Sequence, residues 1–214
     1  MSRVKVKICG ITRNEDLFMA SEAGADAVGV VVDVPSSPRN LSLDEAKKIM
    51  GNAPIFVKTV AVTVPKNLDH LIKIYEKLKP DILQIHGNNL PNIAIREKLP
   101  DAIRIRAVQA ASNGVIEDAV EAANTFDAVL LDSSVSGKYG GTGKVHDWRL
   151  SKQVREAIYP KPLVLAGGLK PGNVKDAIRV VQPYAVDVSS GVESQPGIKD
   201  YGKILEFIKN VKEA

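Results

Sequence analysis

The chain contains a single cysteine, Cys9, whose position suggests chemistry as well as packing. It follows residues 4–8, where apolar and polar residues alternate as in a strand, and Gly10 behind it allows a sharp turn. A free cysteine is often only a small buried hydrophobe, and that interpretation stays open. The thiolate is the reactive form, and Lys7, on the same face of the strand, would favour it electrostatically. Cys9 is therefore a candidate functional residue.

A second candidate, Asp132, ends the apolar run at residues 128–131. Taken alone, an aspartate in this place is ordinarily a turn residue or a helix N-cap. The segment that follows, residues 133–144, contains four glycines and few apolar residues. This composition is typical of a mobile loop that closes over a site. The pattern predicts a lid over a site to which Asp132 belongs.

Two glycine-bearing turns near the end of the chain, at residues 166–169 and 189–193, are candidates for binding an anion. Glycine lets backbone N–H groups approach an anion closely, and a short helix beginning near Gly191 would point its positive end at it. Either turn alone is equally explained as a tight turn that merely needs glycine. Together they favour a phosphate site, for which the candidate residues are Gly167, Gly168, Ser189, Ser190 and Gly191.

Three other polar side chains are candidates for binding a substrate. Arg39 carries a planar, two-pronged donor that suits a carboxylate, although arginines in loops are usually only solvated. His86 is in phase with Gln84 at the end of a strand pattern, where it either contacts a substrate or makes a structural hydrogen bond. Asp187 alternates with two valines and so faces away from their apolar side. The histidines show no ligand spacing, and we expect neither a metal nor a cofactor.

These residues need a scaffold, and the chain alternates short β-branched runs with stretches of helical spacing. Eight strands, each followed by a helix, predict an α/β fold, a single (β/α)8 barrel that covers residues 1–214. A doubly wound open sheet is the alternative, and the absence of a shift in composition along the chain favours closure. The predicted strands are 4–8, 27–32, 55–62, 82–85, 103–108, 128–131, 163–166 and 185–188.

Helix signals support this division. Gly24 is expected to cap the first helix at its C-terminus, and Ser42 with Glu45 predicts a capping box at the start of the second. Pro91 fits only in the first turn of its helix. The predicted helices are 14–24, 42–50, 68–78, 90–99, 115–123, 173–181 and 201–211.

The alternation within each strand predicts which side chains face the barrel interior. If the valines and isoleucines of the first, sixth and eighth strands face the helices, their polar neighbours face inward. Polar groups then collect at the carboxyl ends of the strands, the end at which barrel enzymes keep their active sites. The inward-facing set is Lys5, Lys7, Cys9, Leu130, Asp132, Asp187 and Ser189.

The composition narrows the class of protein. At 44% apolar and 25% charged residues, the chain resembles a soluble globular protein, and no stretch approaches the ~18 apolar residues of a membrane span. A secretory signal is absent and one cysteine forms no internal disulfide, so we expect a cytoplasmic protein. A net charge of +4 without a basic stripe, and 5% aromatic residues, argue against nucleic acid as a partner. A small anionic substrate remains compatible.

With these motifs assembled, the chain resembles the phosphoribosylanthranilate isomerases of tryptophan biosynthesis, nearly end to end. The cysteine motif, the Arg39 loop and the Asp132 loop, in that order, make the resemblance specific. One departure is Val31–Pro35 after the second strand, where we expect an aromatic residue. The matching segments are residues 7–12, 24–29, 36–42, 84–87, 130–133, 140–143, 147–148, 166–173, 187–193 and 197–200.

The resemblance implies an Amadori rearrangement of N-(5-phosphoribosyl)anthranilate, with Asp132 as general acid and Cys9 as general base. It implies a phosphosugar substrate and no cofactor, while monomer and homodimer both stay open. The rival interpretations are another phosphosugar barrel and a phosphate-binding regulatory module without catalysis. Histidine-pathway isomerases of this shape use an aspartate where this chain has Cys9, and a module without activity would have no need of both candidate residues.

Overall fold

A computed structural model describes residues 3–133 and 147–214 and contains a closed barrel of eight parallel strands. The barrel strands are β1 (Lys5–Cys9), β2 (Ala27–Val32), β3 (Lys58–Thr63), β4 (Ile82–Ile85), β5 (Ile103–Gln109), β6 (Ala128–Asp132), β7 (Leu163–Leu165) and β8 (Ala185–Val188). The helices are α1 (Asn14–Ala23), α2 (Leu43–Gly51), α3 (Leu68–Leu78), α4 (Asn92–Lys98), α5 (Val115–Thr125), α6 (Trp148–Ile158), α7 (Val174–Val181) and α8 (Tyr201–Lys212).

Closure of the sheet is seen at β1, which pairs with strands on both sides. Lys7 is in parallel register with Ala27 of β2 and with Asp187 of β8. Each of the other strands pairs with its neighbours in chain order around the ring. The predicted (β/α)8 barrel is therefore confirmed, and the open sheet is excluded.

The predicted helix signals at α1 and α2 are present. Gly24 ends α1 in the left-handed conformation, with φ 97°, and Ser42 and Glu45 form the reciprocal capping box of α2. Pro91 is the N-cap of α4 and so stands just before its first turn. These local signals work because they satisfy backbone groups that a helix end leaves without partners.

Two expectations need correction. The third strand begins at Lys58 and not at residue 55, because Pro54–Val57 form a turn that leaves the Ile55 and Phe56 side chains 90% and 93% exposed. The sequence patterns also placed no helix before β7, where α6 lies; its N-cap, Asp147, accepts a hydrogen bond from the Arg149 N–H at 2.9 Å.

The predicted facing of the strands holds. Val6 and Ile8 of β1 pack in the large core between barrel and helices, which also contains Leu17 of α1. Cys9 packs on the other side of the strand, inside the barrel, against Val60 and Val62. The alternation of β1 therefore carries the thiol into the barrel interior.

Three short strands stand outside the ring. Asn40–Leu41 pairs with β2, and Glu193–Gln195 pairs antiparallel with Ile198–Lys199 after β8. Across residues 3–133 and 147–214, every helix is too short or too polar to cross a membrane. From Ser134 to Lys144 the predicted lid lies outside the described residues, as does His146.

Candidate active site

A cleft of about 80 Å³ opens at the end of the barrel where the strands finish. One of the ten candidate residues, Gly191, does not line the cleft. A Cβ added at Gly191 would overlap the Leu169 carbonyl, because the turns after β7 and β8 are in contact at this point. The structure thus brings nine of the ten candidates to one place, namely Cys9, Arg39, His86, Asp132, Gly167, Gly168, Asp187, Ser189 and Ser190.

Cys9 is the last residue of β1 and is 8% exposed at the floor of this cleft. Burial raises the pKa of its thiol above the ordinary value, because a thiolate loses hydration inside the barrel. Lys7 and Lys199 act in the opposite direction without outweighing burial, and Asp187 adds to the rise. Lys7 therefore lowers the pKa of the thiol, as the sequence predicts, but the effects together raise it.

Asp132 ends β6, in register with Gln109 of β5, and is 8% exposed. Its backbone carbonyl accepts a hydrogen bond from the Ala110 N–H at 2.8 Å, which continues the sheet pairing past the strand end. The N-cap of α6 is Asp147 and not Asp132. The carboxyl group of Asp132 therefore lies at the cleft through its place in the sheet.

Arg39 is buried, and its guanidinium donates two hydrogen bonds to the carboxylate of Glu193. Its Nε donates to Glu193 Oε1 at 2.7 Å, and its Nη2 donates to Oε2 at 2.5 Å. Lys199 Nζ donates to the same Oε1 at 2.8 Å. Sequence reasoning assigned this fork to a substrate carboxylate and missed both partners, which lie more than 150 positions away in the chain.

The charges of this cluster follow from its contacts. Burial alone would raise the pKa of Glu193, but the hydrogen bonds from Arg39 and Lys199 outweigh burial and hold it below the ordinary value. Burial lowers the pKa of Lys199, and Glu193 counteracts that effect. Gly10 makes room for the cluster: at φ 74° it takes a left-handed turn, and a Cβ there would overlap Arg39 Cδ.

His86 has a structural partner and also lines the cleft. Gln84 Nε2 lies within hydrogen-bond distance of His86 Nε2, at 2.8 Å. Burial, with the nearby charges of Lys7 and Arg106, lowers the pKa of His86 to about 3. The imidazole is therefore neutral at physiological pH and offers a substrate hydrogen bonds without charge.

The two turns expected to bind an anion lie side by side. Gly167 and Gly168 follow β7 with φ of 83° and 65°, a backbone shape that glycine favours. Asn173 braces this turn, because its Nδ2 donates to the Gly168 carbonyl at 3.0 Å. The other turn continues into a single 3-10 turn at Ser190–Val192, the short helix expected near Gly191.

Asp187, expected to bind substrate, has a protein partner. Its Oδ1 accepts a hydrogen bond from Lys7 Nζ at 3.0 Å, and both side chains are buried in the barrel. Within the described part of the chain, no group of three or more histidine, cysteine, aspartate or glutamate side chains is placed to hold a metal ion. The cleft combines a thiol and a carboxyl group with two anion-facing turns, an arrangement suited to moving protons on a phosphorylated substrate.

The chain is similar along nearly its whole length to known proteins. The family model of N-(5'-phosphoribosyl)anthranilate isomerase matches residues 6–210. The isomerase of Methanothrix thermoacetophila is 46% identical, over 97% of this chain and 98% of its own. The crystal structure of the Thermotoga maritima isomerase has a TM-score of 0.88 at 40% identity and covers 99% of this chain and 100% of that chain.

A further solved isomerase was crystallised with reduced 1-(o-carboxyphenylamino)-1-deoxyribulose 5-phosphate. It is 38% identical, with a TM-score of 0.84, and covers 99% of this chain and 100% of its own. The family model and the full-length relatives agree with the fold. This chain belongs to the phosphoribosylanthranilate isomerase family.

Proposed function

We propose that the protein is an aldose–ketose isomerase of tryptophan biosynthesis. It converts N-(5-phosphoribosyl)anthranilate to 1-(2-carboxyphenylamino)-1-deoxyribulose 5-phosphate by an Amadori rearrangement. The observation that carries this proposal is that Cys9 and Asp132, on the non-adjacent strands β1 and β6, line one cleft with the glycine turns that follow β7 and β8. Family membership supports the same reaction.

Asp132 serves as the general acid in this mechanism. It protonates the ring oxygen of the sugar, so that the furanose opens to an iminium ion. An exposed aspartate has a pKa near ~3.9 and is a poor donor at neutral pH, whereas exclusion of water raises that value. Asp132 is 8% exposed even before substrate covers the cleft.

Cys9 serves as the general base. Its thiolate removes the proton from C2′ of the iminium ion, which yields an enolamine that tautomerises to the ketone. The substrate and product are isomers, so the protons that the two residues exchange with the sugar balance over a turnover. Since burial raises the pKa of the thiol, the reactive thiolate is the scarce form, and the rate should rise with pH until Cys9 is deprotonated.

The remaining candidates bind the substrate. Backbone N–H groups of Gly167, Gly168, Ser190 and Gly191, with the Ser189 hydroxyl, are assigned to the phosphate. The neutral His86 and the carboxylate of Asp187 face the sugar, and Arg39 lies where it can meet the anthranilate carboxylate. The relative crystallised with a reduced form of the product supports a ligand that carries both a phosphate and an anthranilate carboxylate.

The test is turnover of phosphoribosylanthranilate, followed by loss of its fluorescence. We expect the wild type to be active, and Cys9→Ala and Asp132→Asn each to lose about 10²–10⁴-fold in kcat with the fold intact. Asp101→Asn, at an exposed loop residue, is the matched control and should match the wild type. An inactive wild type that still binds the reduced product would indicate the regulatory module, and full activity in either site variant would refute that residue's role.

We also propose that the protein acts as a homodimer in the cytoplasm, where a base that must be a free thiol stays reduced. Contact through the N-terminal end of the barrel, where the strands begin, is supported by Ile55 and Phe56, which project from that end 90% and 93% exposed. A cavity of about 450 Å³ opens beside them. It is lined by Phe56 and by the first residues of seven strands, Lys5, Ala27, Lys58, Ile82, Ile103, Ala128 and Ala185.

The same face thus carries both a protruding aromatic side chain and a cavity. In a two-fold symmetric contact the same surface of each subunit meets the other, so such a surface must complement itself. A Thermotoga maritima relative of 37% identity was crystallised as monomers generated from a dimeric phosphoribosylanthranilate isomerase. Light scattering should show a wild-type dimer and a Phe56→Asp monomer that keeps its turnover. Phe18→Asp, at a half-exposed phenylalanine of α1, should leave the dimer unchanged. A monomeric wild type or a dimeric Phe56→Asp variant would refute this contact.

A further inference from the structure

We propose that Lys7 is the positioning residue that holds Cys9 ready to act as a base, and that Asp187 and Gly29 fix the Lys7 ammonium beside the thiol. This inference rests on the role proposed for Cys9.

Lys7 and Cys9 share the inward face of β1, two positions apart, and both lie inside the barrel. The Lys7 ammonium is anchored from the neighbouring strand, where Asp187 stands in register with it and accepts its hydrogen bond at 3.0 Å. Burial by itself would lower the pKa of Lys7, but Asp187 and Cys9 outweigh that effect, so the side chain stays charged. A fixed cation is therefore present within the barrel.

Gly29 supplies the space in which the ammonium and the thiol meet. It stands in register with Cys9 on β2, on the other side of β1 from Asp187. A Cβ at this position would lie 2.9 Å from Lys7 Cε, 3.1 Å from Lys7 Nζ and 3.0 Å from Cys9 Sγ. Both reactive ends therefore converge on the point that the missing side chain leaves open, and any larger residue would displace one of them.

The buried charges around Cys9 call for one more anion. Three cations lie there, Lys7 of β1, Arg39 of the loop after β2 and Lys199 beyond β8, with two carboxylates, Asp187 and Glu193, and all five are less than 9% exposed. Arg39 and Lys199 share Glu193, while Lys7 pairs with Asp187. One positive charge is left over, and the thiolate of Cys9 would neutralise it.

The other titratable groups that line the cleft do not change this balance. His86 of β4 is neutral, since its pKa is about 3, and Asp132 of β6 is protonated when it acts as the acid. A buried anion is costly unless it is paired, so the charge balance is what makes a buried thiolate attainable. Of the three cations, Lys7 is the one on the same strand as the thiol, two positions before Cys9. Loss of the Lys7 charge should therefore leave Cys9 protonated.

The experiment measures the protonation of Cys9 directly. Because Cys9 is the chain's single cysteine, the rate of its alkylation by iodoacetamide, an uncharged reagent, reports the thiolate fraction at each pH without substrate. We expect Lys7→Met to be alkylated about tenfold more slowly than the wild type at pH 7.5, with its pH curve displaced upward. Lys5→Met, on the same face of β1 but paired with Asp26 at the N-terminal end, should keep the wild-type curve.

Turnover provides the second measurement. In Lys7→Met the ascending limb of the kcat/KM profile should move to higher pH, with kcat reduced about tenfold at pH 7.5 and KM little changed. A purely structural role would instead lower activity equally at every pH. Gly29→Ala keeps every charge and should still displace the alkylation curve upward, because its methyl group separates the ammonium from the thiol.

Wild-type alkylation curves in both Lys7→Met and Gly29→Ala would overturn the proposal, as would a loss of activity that is uniform with pH. Should the wild type fail to turn over phosphoribosylanthranilate, the proposed function would fall. The alkylation curves would still decide whether Lys7 controls the thiol, so the two failures are distinguishable. Thermal unfolding of each variant confirms that the curves compare folded proteins.

Discussion

At the N-terminal end of the barrel, Asp26, Asp81 and Asp127 each accept a backbone hydrogen bond from the start of the preceding strand, at 2.8–2.9 Å. At the C-terminal end, Asp132 and Asp187 line the cleft. The side chains of the first three are 22–46% exposed, whereas that of Asp187 is 9% exposed. The same residue type thus fixes strands at one end and faces a ligand site at the other.

The difference is one of hydration. Charges at the N-terminal end are screened by water, and such pairs contribute little beyond the backbone hydrogen bonds they accompany. At the C-terminal end the charges are out of water, so each strongly affects the protonation of its neighbours. A charge at the N-terminal end can therefore be removed without affecting the groups proposed to act in catalysis. Removal of a charge at the C-terminal end changes the protonation of those groups.

The largest effect should come from the same substitution made at each end. Asp132→Ala should lose about 10²–10⁴-fold in kcat, because it removes the proposed acid. Asp127→Ala should keep its kcat but lose about 1–2 kcal/mol of unfolding free energy, since the Arg104 N–H loses its acceptor. Turnover and urea unfolding of both variants check this. A large loss of activity in Asp127→Ala would break the contrast between the ends.

Ion pairs should show the same contrast in stability. Arg39→Ala should cost about 3 kcal/mol, the low end for breaking a buried pair, because Lys199 still partly neutralises Glu193. Lys58→Ala should cost less than about 1 kcal/mol, since its pair with Asp81 is exposed. Urea unfolding measures both, and Arg39→Ala should also raise KM through the lost carboxylate contact. Equal costs would show that burial does not set the strength of these pairs.

How far the sequence predicts this molecule depends on the range of each interaction. Alternation within a strand is local, and it correctly placed Cys9 and Asp187 inside the barrel. Capping is local too, and it correctly placed Gly24 and Ser42. Parallel strands meet at one edge, so nine of ten candidates at strand ends arrived at one cleft.

What the sequence did not reveal depends on contacts between distant positions. The Arg39–Glu193 pair joins residues 154 positions apart, and either residue alone reads as an ordinary charged loop residue. The need for a glycine at position 29 becomes visible only in the structure, where the Lys7 and Cys9 side chains occupy the space around the missing Cβ. Residues 55–56 continue a strand pattern in the sequence. In the structure they lie in the exposed turn that connects α2 to β3.

The smallest effect concerns acid stability at the N-terminal end, through Asp81. Partial burial alone would raise the pKa of this carboxyl group, but hydrogen bonds from Lys58 and from the Thr59 N–H and hydroxyl outweigh burial and lower it. A carboxyl group with a lowered pKa in the folded state stabilises the protein above its unfolded pKa, near ~3.9, and loses that contribution as pH falls through the folded value.

The difference in unfolding free energy between the wild type and Asp81→Asn should therefore be constant from pH 5 to 7 and should shrink below about pH 4. Urea unfolding at a series of pH values measures it, and Asp101→Asn, exposed and remote from the strand starts, should show no such trend. A gap that persists unchanged to pH 3 would mean that it does not come from the Asp81 charge, and that the amide of the variant meets the Thr59 N–H and hydroxyl less well than the carboxyl group does in either protonation state.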